Sequence, residues 1–410
     1  MRRLLPILFI LILSGCTLFE DNIAVLWTDQ PEIAAYIEIF NSIQNEYRIE
    51  LMYKESPASA LLEGDEEAPD IVISRWLANS QLLPEFLPLN NLFESEDAQL
   101  EENDFYRNLL SPCRYNEQLH LLPVSFNMPL IIERSEYSDS SSFFYTLEEL
   151  QSNGQEFNRI ADGRYHNLGF SPRWDSEFIY FTARLFGTNF RARSRGVNWN
   201  QENLINSLDQ CRSWIESANS GTEMDIAFES RYLYDPIYKL VNTGRVRFGF
   251  YNLYDYYLLP EVKRDNLSFQ WISRNDRIPV SDEVQYIGIH NSTNSRTAAM
   301  AFASWFFQPQ NQILFLQTFQ QKRMRAFGIS GGFSSLVEIN ERELPNFYPS
   351  LVGKVPPEEF LLFPSRLPVN WAGIREEVVF PWLESNLDSQ EINASALSNN
   401  IDEWFRQESN

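Results

Sequence analysis

The sequence predicts an α/β protein built from two domains. Strand-like and helix-like segments alternate over residues 23–74, as they do at the start of a doubly wound α/β sheet. The chain of 410 residues is also too long for one ordinary hydrophobic core, so two domains are expected.

The segments over residues 23–74 show this alternation of strand and helix patterns. Ile23–Trp27 has the apolar character of a strand, and the apolar residues between Glu32 and Tyr47 follow helical spacing after Pro31. Arg48–Tyr53 alternates as a second strand. Asp70–Ser74 is apolar and β-branched, which is typical of a buried parallel strand.

The rest of the chain continues with helices and fewer strands. The predicted helices are Leu147–Ser152, Ser176–Phe186, Gln201–Ser217, Ser295–Phe307, Ile374–Ser385 and Leu397–Gln407, and the predicted strands are Val246–Phe250 and 284–292. No Pro-, Ser- or Gly-rich linker divides the sequence. Each domain is therefore expected to be built from separate pieces of chain.

The first sixteen residues predict export and lipidation. Arg2 and Arg3 precede an apolar run of about ten residues, which is shorter than the roughly 20 needed to span a bilayer. Leu13–Cys16 then resembles the lipobox of bacterial lipoproteins. We expect a signal peptide at 1–15 and a lipid on Cys16; the alternative is an ordinary signal peptide with a chance cysteine.

Composition argues against several classes of partner. The formal net charge is −23, and an acidic protein repels nucleic acid and anionic lipid. The histidines and cysteines show no metal-site spacing, and no cofactor is expected. Cys113 and Cys211 are available for a disulfide after export, but Cys211 also shares a helical face with apolar residues, and the pairing stays open.

One segment has the appearance of a catalytic motif. Gly328–Gly332 matches G-x-S-x-G with Ser330 at its centre. That nucleophile needs an acid and then a histidine later in the chain, and no histidine follows Ser330. We therefore interpret the segment as a flexible glycine turn and expect no enzyme activity.

Several stretches together resemble a known family, the bacterial extracellular solute-binding lipoproteins of ABC importers typified by maltose-binding protein. The stretches are LSGC (13–16), IAVLWTDQPE (23–32), APDIVISRW (68–76), LLPVSFNMPLII (121–132), NSRTAAMAFASWFFQPQNQ (294–312) and PVNWAGIREEVVFPWLESNL (368–387). The resemblance covers nearly all of residues 23–405. The sequence departs from the family pattern at 116–120 and at 244–248, where the family often has small residues.

The resemblance implies a periplasmic-binding-protein-like fold with two α/β lobes, a hinge and a central cleft. Lobe one would comprise 22–128 plus 288–333, and lobe two 132–285 plus 336–410. The implied function is capture of a small solute, most often a sugar, by a monomer that delivers it to an ABC permease at the membrane. The alternative is a surface lipoprotein of the same fold used for sensing or adhesion without transport.

Candidate ligand-binding residues follow from the positions of strand ends. Ligands of open α/β sheets bind beyond the carboxyl ends of the strands, and a sugar needs polar groups for its hydroxyls and rings for its C–H face. The polar candidates in lobe one are Asp29, Arg75 and Asn127, with Trp27 and Trp76 as stacking rings. The candidates in lobe two are Trp174, Asp175, Tyr251, Asn252 and Trp371.

Structural alternatives remain for these residues at this point. Trp27 would equally well finish a core strand, and Arg75 would equally well form a surface salt bridge. Much of the aromatic run around Tyr251 must be core. The expected mechanism is hinge closure, in which a ligand that bridges the lobes raises the population of the closed state.

Overall fold

A computed structural model describes residues 22–64, 66–94, 100–138, 142–193, 196–389 and 391–408. The predicted signal peptide at 1–15 and the predicted lipidation site Cys16 lie outside these residues and stay predictions. In the part of the chain that is described, no helix has both the length and the apolar character needed to cross a membrane.

The strands, in chain order, form two main sheets and several short pairs. They are β1 (Ile23–Thr28), β2 (Arg48–Tyr53), β3 (Ile71–Arg75), β4 (Arg114–Tyr115), β5 (Gln118–Leu119), β6 (Leu122–Phe126), β7 (Pro129–Arg134), β8 (Phe144–Thr146), β9 (Arg159–Ala161), β10 (Arg164–Asn167), β11 (Arg191–Ala192), β12 (Val197–Asn198), β13 (Gly249–Asn252), β14 (Leu267–Ser273), β15 (Ile278–Pro279), β16 (Gln285–Ile289), β17 (Phe333–Ser334) and β18 (Leu361–Leu362).

The helices cover both main sheets and fill the C-terminal region. They are α1 (Ile33–Ile43), α2 (Pro57–Glu63), α3 (Asn91–Glu94), α4 (Arg107–Leu110), α5 (Leu147–Phe157), α6 (Ser176–Leu185), α7 (Gln201–Ala218), α8 (Thr222–Tyr232), α9 (Ile237–Asn242), α10 (Leu253–Leu258), α11 (Glu261–Arg264), α12 (Arg296–Phe306), α13 (Pro309–Lys322), α14 (Leu344–Phe347), α15 (Trp371–Ile374), α16 (Phe380–Leu387) and α17 (Ala394–Glu408).

The larger sheet has six strands in the order β17-β6-β16-β3-β1-β2. β1 is parallel to β2 and β3, whereas β16 is antiparallel to both β3 and β6. β6 therefore runs in the same direction as β1 and β3, and the carboxyl ends of all three lie at one edge of the sheet. This edge belongs to the first lobe.

The smaller sheet has four strands in the order β13-β7-β14-β8. Its central strands are almost wholly buried, because α6 packs against one face with Phe178 and Phe181 in contact with Phe250 of β13. The helices α15 to α17 pack around α6 and α7 in the same lobe. The chain thus forms the two expected α/β lobes.

Short crossovers join the lobes side by side. Asn127 and Met128 link β6 of the first sheet to β7 of the second, and residues 280–284 lead back from β15 to β16. The two crossovers are hydrogen-bonded, because the N–H of Ser281 donates to the carbonyl of Asn127 at 2.8 Å. A third passage follows β17 on the way to β18.

The exact residues that bound each lobe, predicted as 22–128 plus 288–333 and 132–285 plus 336–410, stay a prediction. β16 pairs wholly within the larger sheet and starts at Gln285, which had been assigned to lobe two. Asn340, also assigned to lobe two, donates to the hydroxyl of Tyr106 in the first lobe at 3.1 Å. We place both residues with lobe one.

The cysteines do not form a disulfide in this structure. Cys113 lies in the first lobe and Cys211 lies in α7 of the second, and both are buried free thiols. Burial raises the pKa of the Cys211 thiol to about 12. Both side chains therefore serve as small core residues.

Candidate ligand-binding cavity

A cavity of about 330 Å³ lies at the carboxyl ends of β1, β3 and β6, between the lobes. Its lining is mostly polar and comes from both lobes and from the crossovers. The lining residues are Asp29, Gln30, Arg75, Ser125, Phe126, Asn127, Asn252, Tyr254, Asp255, Ser281, Glu283, Gln285, Ser330, Gly331 and Gly332.

Arg75 is the central cation of the cavity. It follows the buried strand β3, and its guanidinium binds Asp29 at 3.0 Å and Glu283 at 2.7 Å. Asp29 comes from the end of β1, whereas Glu283 comes from the second crossover. Arg75 therefore ties a strand of lobe one to the hinge.

Glu283 is shared between the lobes. Its other carboxylate oxygen accepts from Arg375 of lobe two at 2.8 Å. Burial would raise the pKa of Glu283, but Arg375 and Arg75 outweigh burial and lower it. Glu283 is consequently an ionised bridge between a guanidinium in each lobe.

Arg375 is presented by an irregular stretch of helix. Arg375–Val379 form a π-turn between α15 and α16, and Pro381, shortly after it, lacks the N–H for a regular helical hydrogen bond. Glu177 lies 3.9 Å from Arg375 on the other side. Burial raises the pKa of Glu177 to about 7, although Arg375 opposes the shift.

Asp282, the neighbour of Glu283, is anchored in lobe two. It accepts hydrogen bonds from the indole of Trp371 at 3.0 Å and from the hydroxyl of Tyr180, and it pairs with Arg184 at 3.1 Å. These contacts fix one end of the crossover, while Glu283 binds into both lobes. Asp282 and Glu283 thus connect the second crossover to lobe two and to the cavity.

Tyr254 closes the cavity from lobe two. Its hydroxyl donates to Oε1 of Glu32 in lobe one at 2.8 Å. Its ring lies over Gly331, where an added Cβ would stand 3.2 Å from Tyr254 Cε2. Gly331 also has φ +77°, a left-handed conformation that favours glycine. This glycine therefore leaves room for the ring.

Two buried acceptor atoms at this site have no partner. Asp29 Oδ1 and Glu32 Oε2 receive no hydrogen bond from any residue that the structure describes. The Asp29 side chain is only 7 % exposed and Glu32 is 8 % exposed. Of the two residues, only Asp29 lines the cavity. A buried acceptor without a donor is costly, so Asp29 Oδ1 is suited to a donor supplied by a ligand.

Asp255 stands at the mouth of the cavity without a cation of its own. No hydrogen bond or ion pair joins its carboxylate to another described residue. Burial and the nearby Glu283 raise the pKa of Asp255 above its usual value. The mouth of the cavity is therefore rich in negative charge.

Four of the ten predicted ligand-binding residues line this cavity, namely Asp29, Arg75, Asn127 and Asn252. Asn127 donates to the carbonyl of Gly331 at 3.0 Å and so holds the glycine turn against the first crossover. The side-chain oxygen of Asn252 accepts from the N–H of Tyr254 at 3.1 Å and caps α10. Both residues shape the cavity through backbone contacts.

The structure places Trp27 and Trp371 away from the cavity. Trp27 is 2 % exposed, and Lys54 lies over its ring, which corresponds to the alternative of a core strand. Trp371 is fully buried and binds Asp282. Neither ring can stack on a ligand here, because packing occupies both faces.

The remaining predicted residues also lie off the cavity lining. Trp174 stacks on Phe228 and donates to Asp225, and Asp175 caps α6 through the N–H of Glu177. Tyr251 packs against the core. Trp76 packs between the hydrophobic clusters of the two lobes.

Sequence reasoning missed Tyr254 and Glu283, and it identified the glycine turn at Ser330 without placing that turn in the cavity lining. Tyr254 was hidden in an aromatic run, although it follows a predicted site residue by two positions. Ser330 donates to Oε1 of Gln285 at 2.6 Å, and the same amide donates back to the Ser330 carbonyl at 2.9 Å. An amide cannot act as a general base, so the motif here is a turn that lines the cavity.

Neither family models nor curated proteins match the sequence, but solved structures do. A sugar-binding protein, MalE, from Xanthomonas citri is 13% identical with a TM-score of 0.68, covering 94% of this chain and 98% of its own. An ABC substrate-binding protein from Listeria monocytogenes, in complex with cycloalternan, is 12% identical with a TM-score of 0.65, covering 94% and 99%. The chain has the fold of the ABC-transporter sugar-binding proteins.

A further structure of this fold is the maltotriose-binding protein of Thermus thermophilus bound with maltotriose. It is 12% identical with a TM-score of 0.58, and the match covers 94% of this chain and 100% of that one. Because the matches span both lobes, they confirm the expected fold class over nearly the whole chain.

Proposed function

We propose that this protein captures a saccharide in the cavity between its lobes and delivers it to an ABC permease. The observation that carries the proposal is the composition of the cavity. Lobe one, lobe two and both crossovers each contribute hydrogen-bonding side chains, and the buried Asp29 Oδ1 has no partner among the described residues. The fold shared with sugar-binding proteins supports the same conclusion.

The chemistry of a saccharide fits these groups. Asp29 would accept from sugar hydroxyls, whereas Arg75 and Asn127 would donate to them. Tyr254 would cover a C–H face of the sugar ring. The cavity is close to the lower end of the 300–1,000 Å³ typical of ligand pockets, which favours a short saccharide.

Closure of the lobes would couple binding to delivery. The bond between Tyr254 and Glu32 joins the lobes directly across the cavity. A ligand that contacts both lobes would add to this bond only in the closed state, and so would raise its population. A permease that recognises the closed arrangement would then receive the loaded protein.

The proposed setting is extracytoplasmic. The predicted signal peptide would export the chain, and the predicted lipid on Cys16 would keep it near the permease. Mass spectrometry of the protein made in bacteria tests this part, since lipidation adds a defined mass to Cys16 and Cys16→Ser abolishes it. An unlipidated mature terminus would contradict the anchor while leaving the binding proposal intact.

Titration calorimetry over mono- and oligosaccharides tests the binding proposal. We expect saturable one-to-one binding, and Arg75→Met should weaken it by roughly 30-fold or more, equivalent to about 2 kcal/mol. Arg342→Met is the matched control, because Arg342 is exposed and, among the described residues, forms its ion pair with the exposed Glu338. Thermal melting of each variant separates lost binding from lost folding.

The proposal would be overturned if none of the saccharides showed measurable binding. A surface lipoprotein used for sensing or adhesion without transport would then be the better interpretation. Equal loss of binding in Arg75→Met and Arg342→Met would also contradict a role for this cavity.

A further inference from the structure

We infer that the saccharide bound in the cavity carries a positively charged amino group. This inference rests on the proposed function and specifies its ligand. It starts from the balance of charges around the cavity between the lobes. The lining contains three carboxylates, on Asp29, Asp255 and Glu283, and one guanidinium, on Arg75.

The single lining cation is already committed. Arg75 contacts both Asp29 and Glu283, and Arg375, behind the lining, also contacts Glu283. These two guanidinium groups offset two of the lining acids. Asp255 is left without an ion pair among the described residues, and Glu32 is held only by the neutral hydroxyl of Tyr254.

An unpartnered atom of the lining points to the same chemistry. Asp29 Oδ1, which belongs to a carboxylate that lines the cavity, is a buried acceptor with no donor among the described residues. A neutral hydroxyl would satisfy its hydrogen bond but would leave the excess negative charge of the lining uncompensated. An ammonium group supplies three donors and a positive charge together, and charge-assisted hydrogen bonds are the stronger kind.

The shape and lining of the cavity favour an amino sugar over a plain amine. Serine hydroxyls and side-chain amides surround the acids, which suits a ligand with several hydroxyls. Phe126 and Tyr254 supply the aromatic surface of the lining. A linear diamine would use the carboxylates but would leave the hydroxyl-binding groups and the Tyr254 ring unused.

The inference is tested by comparing matched ligands on the purified protein. Calorimetry at neutral pH and low salt would use glucosamine, galactosamine and mannosamine, each beside its N-acetyl derivative and its parent hexose. We expect at least one free amino sugar to bind about tenfold more tightly than both of its neutral partners, because the pair is partly shielded from water. That advantage should shrink at high salt.

Two variants assign the preference to the cavity. Asp255→Asn should reduce the advantage of the amino sugar by several-fold, and the advantage is measured as the ratio of its affinity to that of the neutral hexose, so that a general loss of binding cancels. Glu261→Gln removes the same charge from a position outside the cavity lining, at the start of α11, and should leave the advantage in place. Melting curves confirm that both variants are folded.

The outcomes separate this inference from the proposed function. Neutral sugars that bind as tightly as their amino forms, or more tightly, would overturn the inference and leave saccharide binding standing. Equal effects of Asp255→Asn and Glu261→Gln would also overturn it. If putrescine binds while no sugar does, both proposals are overturned. They are also overturned if no sugar shows measurable binding.

Discussion

At the scale of residues, the end of β3 shows how a buried strand presents polar groups to a site. Arg75 leaves the sheet at its carboxyl edge and binds two acids of the cavity. Trp76 follows with φ 65°, an unusual conformation for a bulky side chain. The side chain of Asn79 donates to the Trp76 carbonyl at 2.6 Å and stabilises this turn. The turn directs the indole between the lobes and not into the cavity.

Tyr254 is the residue that we expect to contribute most through its ring. Tyr254→Ala should weaken saccharide binding about tenfold or more, roughly 1.4 kcal/mol, because the ring covers the sugar and closes the cavity. Tyr254→Phe keeps the ring and should retain most of the affinity. Calorimetry measures both. Tyr234→Ala, at a ring that is 81 % exposed on α8's C-terminal side, is the control; a larger effect there would contradict the assignment.

Glu177 should make stability depend on pH. Its pKa rises from 4.5 to about 7 on folding, so the folded state binds the proton more tightly than the unfolded state. Its contribution is therefore fully present below pH 4.5 and is lost as the pH rises through about 7. Because the side chain is 37 % exposed, solvent screening reduces the effect to about 1 kcal/mol.

Chemical denaturation at a series of pH values, on the protein and on Glu177→Gln, isolates this effect. The variant should gain stability relative to the protein as the pH rises from about 4.5 to 7, and the difference should then stay constant. Glu338→Gln, on an exposed helix pair, corrects for general charge effects. A difference that shrinks with rising pH would contradict the assigned direction.

At the scale of elements, β16 is placed in the middle of the larger sheet by a glycine. A Cβ at Gly288 would lie 2.5 Å from Phe86 Cδ1 and 2.6 Å from Leu121 Cδ2. β16 can pack this closely against Phe86 and Leu121 only because residue 288 has no side chain. β16 carries Gln285 into the cavity, so this packing also positions part of the site.

Gly288→Ala should destabilise the protein by about 1–3 kcal/mol, because the core must shift to admit the methyl group. Gly154→Ala is the opposing control, since it lies in α5, where the nearest atoms to an added Cβ stand 3.7 Å away, an ordinary van der Waals distance. That change should leave stability unchanged or raise it by up to about 1 kcal/mol. Urea unfolding measures both, and a neutral Gly288→Ala would show that the strand has room to move.

At the scale of the whole molecule, the acids of the second crossover link the two lobes through charge. Asp282 is fixed in lobe two, whereas Glu283 binds a guanidinium from each lobe. Relative motion of the lobes would therefore alter contacts that also define the cavity. Occupancy of the cavity would therefore be coupled to the relative position of the lobes.

Ligand binding should stabilise the molecule as one unit. A saccharide at 100 times its dissociation constant should add about 2.7 kcal/mol to the free energy of unfolding. Differential scanning calorimetry should show this as a rise in Tm, and small-angle scattering should show a smaller radius of gyration on closure. A ligand that raises Tm without changing the radius would contradict closure but not binding.

Much of the fold could be predicted because hydrophobic periodicity is local. Arg48–Tyr53 matches its predicted strand, and Gln201–Ala218 matches its predicted helix to within a residue. The position of Asp29 and Arg75 at strand ends also followed from the pattern. The tryptophans were harder to place, because a bulky ring suits a core and a cleft equally well.

The sequence by itself predicted an α/β chain of two domains with Asp29 and Arg75 at strand ends, since these depend on local periodicity, chain length and strand direction. Its resemblance to a family implied the two lobes and the cleft. Only the tertiary structure decided which rings line the cavity and which acids remain uncompensated. Trp371 and Trp27 are buried, while Tyr254 reaches across from lobe two. Contacts between residues far apart in the chain decide this, such as the bond between Tyr254 and Glu32, which are 222 positions apart, and no local pattern encodes them.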